Sequence, residues 1–104
     1  MTTEEEFREL ALSLHGTEEV AHFDRRAFKV RRIFASLEPN GDTANLYLTP
    51  PEQEQWCDIV PGAFAPVPNK WGSRGWTQVW LAHIKLDDLH AALRAAWSNC
   101  GGAE

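Results

Sequence analysis

The stretch RRAFKVRRIFASLEPNGDTANLYL, residues 25–48, decides the fold of this chain. It holds three short runs, 27–30, 33–37 and 44–48, each apolar, alternating, or rich in β-branched and aromatic residues. Such runs read as strands. Between the last two lies Pro39-Asn40-Gly41-Asp42, and Asn-Gly tolerates the positive φ that a tight hairpin requires. The connection at Arg31-Arg32 has no glycine, so its turn type stays open. Consecutive strands joined by short turns imply an antiparallel sheet.

Upstream, 20–23 reads as one more strand. Before it, Phe7, Leu10, Ala11 and Leu14 follow the i, i+3, i+4, i+7 stripe of an amphipathic helix. Thr3 with Glu6 forms a capping box, Glu4, Glu5 and Glu6 suit the positive end of the helix dipole, and Gly16 supplies the stop. Downstream, Thr49-Pro50-Pro51-Glu52 is a second capping box, predicting a short helix over 50–58 that Pro61 and Gly62 end.

Residues 59–75 hold three prolines and three glycines without periodicity and read as a long loop. Loops of this length in small domains are often functional. A strand follows over 76–83, apolar on both parities, with Trp76 and Trp80 expected in the core. Asp87 is expected to cap a last helix carrying Leu89, Leu93, Ala96 and Trp97 on one face. The order is α-β-β-β-β-α-β-α, a two-layer α+β domain with helices mainly on one side of the sheet. With 104 residues there is room for one domain spanning 1–104, whose ends, 1–3 and 99–104, are expected to fray.

No apolar run approaches the ~20 residues of a membrane helix. The acidic Met-Thr-Thr-Glu-Glu-Glu start lacks the basic opening of a signal peptide, so a cytoplasmic protein is expected. Cys57 and Cys100 stand apart from other thiols and read as free, Cys57 packed on a helix and Cys100 near a mobile tail. His15, His22, His83 and His90 form no metal-ligand pair, and no serine sits in a nucleophile-elbow context. The residues thus point to no catalytic group, cofactor or metal, and enzyme activity ranks last.

The ordered series of motifs resembles the MmcQ/YjbR family over residues 6–98. The resemblance rests on Gly16 with Glu18-Glu19, Phe28-Lys29-Val30, Ile33-Phe34-Ala35-Ser36-Leu37 and Leu46-Tyr47-Leu48-Thr49-Pro50. Lys70-Trp71, Trp76 and the closing helix with Trp97 complete it. It implies a small α+β domain with a double-wing arrangement and predicted DNA binding, in a family with no established reaction. Relatives often carry a glycine before the Ile-Phe-Ala strand; this chain has Arg31-Arg32, which adds charge there.

Two features are candidates for function. Arg25, Arg26, Lys29, Arg31 and Arg32 place five of the ten basic residues within eight positions, leaving five basic against fifteen acidic residues elsewhere, a balance of −10. So polarised a chain can present a phosphate-binding surface despite its net charge of −5. Lys70, Trp71 and Arg74 form the second feature, a ring between cations on a glycine-flanked loop, suited to stacking a base and holding phosphates. The eight residues together predict a nucleic-acid-binding domain. The alternatives are a solvated basic face, a surface that docks an acidic protein, and a small-ligand pocket under the proline-rich loop lined by Trp71 and Trp76.

Overall fold

Three helices lie on one face of a six-stranded antiparallel sheet in the computed structural model, which describes residues 1–103. In chain order these are α1 (Glu4–Ser13), β1 (Glu18–His22), β2 (Arg25–Lys29), β3 (Ile33–Leu37), β4 (Thr43–Tyr47), α2 (Pro50–Ile59), β5 (Phe64–Pro66), β6 (Trp76–Trp80) and α3 (Leu86–Asn99). The spatial strand order is β1-β2-β3-β4-β6-β5. The expected order of helices and strands therefore holds, with β5 added and with the strand expected over 76–83 ending at Trp80, where Leu81–His83 form a 3₁₀ turn. Residues 59–75 are not structureless: β5 pairs antiparallel with β6, and a 3₁₀ turn spans Gly72–Arg74.

Both capping boxes form. Thr3 and Glu6 exchange hydrogen bonds at the start of α1, and Thr49 and Glu52 do so at the start of α2. Glu52 also accepts from the Asn99 side chain at 2.8 Å, while Asn99 donates to the Tyr47 carbonyl at 3.1 Å. Burial alone would raise the Glu52 carboxyl, but hydrogen bonds from the Thr49 N–H and Asn99 outweigh it and hold the group below its ordinary value. Its stabilising contribution is therefore present above the unfolded carboxylate range and is lost as pH falls through the lowered folded value. Replacing Thr49 by alanine should cost about 1 kcal/mol. A thermal melt that does not move would show that the cap contributes nothing to stability.

The last helix begins two residues earlier than a cap at Asp87 predicts. Lys85 stands at its N-cap without a side-chain bond, and Asp87 and Asp88 lie in the first turn, where they meet the helix dipole. Thr2 is buried, its N–H donating to the Leu81 carbonyl and its hydroxyl to the Ile84 carbonyl, both at 2.9 Å. Cys100 is buried too and packs in the core beside Ile33. Burial pushes both cysteine thiols up, so they are neutral and poorly nucleophilic.

The core lies between helices and sheet. Phe7 of α1 meets Phe28 of β2 edge-on at 5.8 Å, and Leu89, Leu93 and Trp97 of α3 complete the layer. On β4 and β6 the alternation is regular: Ala44, Leu46, Thr77 and Val79 are buried on the helix side. Trp76 and Trp80, expected in the core, are instead half-buried and share the opposite face with Asn45, Tyr47 and Gln78. Period-2 geometry requires this once Val79 faces the helices.

One irregularity shapes the sheet face that the helices leave open. Phe28 pairs with Ala35 and Lys29 pairs with Ile33, so Phe34 is an extra residue in β3. Such a bulge puts two residues of one strand opposite one of the other. Phe34 is thereby buried in the core, and Ile33 turns to the face away from the helices.

Candidate functional site

The sheet face without helices carries a groove of about 740 Å³. It crosses from the β1–β2 hairpin to the loop after β5. Its floor comes from Arg25, Ile33, Ser36 and Asn45 on three neighbouring strands, and Trp76 extends it on β6. Phe23 and His22 border it on the hairpin, and Val67, Asn69 and Trp71 border it on the loop. Next to it, Trp76 packs against Tyr47 across the β4–β6 pair, with ring centres 5.2 Å apart.

The loop that presents Trp71 is built by its own backbone. Val67 and Trp76 bond across its base, Trp71 N–H donates to the Asn69 side chain at 2.9 Å, and Gly72 N–H donates to the Asn69 carbonyl. Gln53 of α2 reaches under it to the carbonyls of Gly72 and Trp76. Trp71 is left 45% exposed, with the Arg74 guanidinium 4.9 Å and the Lys70 ammonium 5.4 Å from its ring centre. Cations at these distances are attracted by the ring face.

The hairpin tip is unusual. His22 and Arg25 end the strands, leaving Phe23-Asp24 as a two-residue turn. Phe23 has φ 59° and is 94% exposed. Positive φ at the first central residue is the type II′ pattern, where glycine is preferred. A large aromatic side chain held there, in water, is both strained and apolar.

Arg25 supplies the charge within the groove. Its Nε donates to the Ser36 hydroxyl at 3.0 Å. Its Nη2 is buried and has no hydrogen-bond partner among the described residues, and no described carboxylate lies within ion-pair distance. A buried unpaired guanidinium nitrogen is costly, and an anion in the groove would relieve it.

The eight side chains singled out in the sequence do not share one surface. Arg25, Lys70, Trp71 and Arg74 belong to the groove and its border loop. Lys29 lies on the same sheet face, opposite Glu18 in the β1–β2 ladder. Arg26 points to the helix side, where it pairs with Glu4 of α1. Arg31 and Arg32 leave the sheet altogether. The Arg31 stem lies against Gly101, and Arg32 Nη2 donates to the Asn99 carbonyl at 2.8 Å, so both meet the negative end of α3.

His22, Phe23, Ile33, Ser36, Asn45, Val67 and Asn69 line the groove without having been singled out in the sequence. Ser36 and Asn45 carry a signal, as isolated polar residues at alternate positions in apolar strands. Phe23 carries none, because nothing in His-Phe-Asp-Arg marks a turn.

Among the described residues no group of three or more His, Cys, Asp or Glu side chains is arranged to hold a metal ion. Nor is any helix of the described residues long and apolar enough to cross a membrane.

Fold and groove together define a two-layer α+β domain whose sheet has one open, aromatic-lined face. The YjbR family model matches residues 12–99, and the chain belongs to the YjbR family. Its structure is similar to the crystal structure of Deinococcus radiodurans protein DR2400, described as a DUF419 domain. The TM-score is 0.78 with 22% identity, over 93% of this chain and 77% of that one. Among curated protein sequences none gives a significant match.

Proposed function

We propose that this protein is a non-enzymatic nucleic-acid-binding domain that takes a single-stranded segment on the open face of its sheet. The observation that carries the reading is the groove itself, where an exposed Phe23, a cation-flanked Trp71 and the unpartnered Arg25 nitrogen border one space. Stacking rings together with cations are what sequence-tolerant single-strand binding requires. Arg25, Lys29, Lys70 and Arg74 would meet phosphates, while Phe23 and Trp71 would stack bases. Arg26, Arg31 and Arg32 take no part. This separates the reading from a double-wing contact built on the whole arginine cluster.

A second reading, a small anionic ligand with a planar ring, is favoured by the groove's volume, which falls within the range of small-molecule sites. Docking of an acidic protein surface has less support, since the basic residues face three directions.

Anisotropy with short labelled oligonucleotides tests the reading. Single strands should bind better than duplex and quench tryptophan emission. Two to four neutralised phosphates predict a loss of roughly 7- to 50-fold in affinity between about 50 and 200 mM salt. Absence of binding at the lower salt would end the nucleic-acid reading.

A further inference from the structure

Resting on the nucleic-acid reading, the geometry points to a phosphomonoester subsite at Arg25, so that the groove receives the phosphorylated end of a strand rather than its middle. Lys70 and Arg74 stand on the border loop and are exposed, so internal phosphodiesters reach them from solvent. Arg25 is different. It is half-buried on the groove floor, its Nε is held by Ser36, and its covered Nη2 lacks a partner among the described residues.

A phosphodiester is flanked by sugar on both sides and stays at the rim. A terminal phosphate has one free side, carries more charge, and offers three oxygens to a guanidinium fork. Asn45 lines the same floor and can donate to such an oxygen, as can His22, which sits opposite Arg25 in the ladder. Asp24, the carboxylate nearest in sequence, is exposed at the hairpin tip and makes no ion pair with Arg25. Phe23 then lies beside the terminal sugar and base, where stacking holds the end in place.

The test compares a short thymidine oligonucleotide bearing a 5′-phosphate with the same strand ending in hydroxyl, using the intact protein at low salt. The wild type should prefer the phosphorylated strand by about tenfold. Arg25→Gln should erase that preference, bringing the phosphorylated strand down to or below the wild-type affinity for the hydroxyl strand, with a thermal melt confirming that it folds. Arg25→Lys keeps the charge without the fork and should recover part of the preference.

Equal affinity of the wild type for both strands would overturn the subsite and leave strand binding standing. Failure of both strands to bind would overturn subsite and nucleic-acid reading together. Displacement of the phosphorylated strand by an equal concentration of thymidine 5′-monophosphate would support the subsite but assign it to free nucleotides, against the strand reading.

Discussion

Gly75→Ala is expected to lower the stability of the protein by about 3–5 kcal/mol and to release the tryptophan loop. Gly75 has φ 109°, outside the region an L residue adopts at modest strain, and a Cβ there would be driven into the Leu48 carbonyl oxygen. Strain and overpacking of this kind each cost about 1–3 kcal/mol. The turn cannot yield easily, because Gly75 O accepts from Leu48 N–H and from the Thr77 hydroxyl, and Gly75 N–H donates to the Gly72 carbonyl. These bonds join the end of β4 to the start of β6. A fall in Tm of about 15 °C or more should therefore accompany altered Trp71 emission. A variant melting within a few degrees of wild type would show that the turn relaxes and does not anchor the loop.

Phe23→Gly should move stability and binding in opposite directions. Glycine accepts φ 59° without strain, so stability should be retained or raised by up to about 1 kcal/mol, despite loss of the His22–Phe23 ring contact at 4.7 Å. A stacked base contributes about 1–3 kcal/mol, so affinity for a single strand should fall roughly 5- to 150-fold. Loss of stability would mean that Phe23 holds the hairpin together. Unchanged affinity would remove it from the binding surface. The opposed signs make the variant informative, since simple misfolding cannot produce them.

Local rules make most of the architecture legible. Thr3 with Glu6 and Thr49 with Glu52 announce helix starts because each box satisfies backbone N–H groups within four residues, needing nothing from the remainder of the chain. Asn40-Gly41 likewise marks its turn, with Gly41 at φ 76°. The stripe of Leu89, Leu93, Ala96 and Trp97 identifies the buried face of α3. The strand without a sequence signal, Phe64–Pro66, has only three residues; it exists because β6 offers a free edge there. Trp76 and Trp80 lie outside the core, against expectation, because an apolar run on both parities does not say which parity the helices cover.

The candidate site shows the same division more sharply. Five basic residues between positions 25 and 32 look like one surface in the sequence, and their order along the chain establishes that the charge is polarised. Their separation arises from strand alternation, which sends Arg25 and Arg26 to opposite faces, and from the bend at Arg31 and Arg32, which turns both toward the end of α3. The bulge at Phe34 then brings Ile33 to the groove. Sequence by itself thus determined the helices, the hairpins and the antiparallel α+β order, because those depend on contacts between near neighbours. Only the tertiary structure decided which face stays open and which cations meet which rings, because strand register and bulges depend on partners far along the chain.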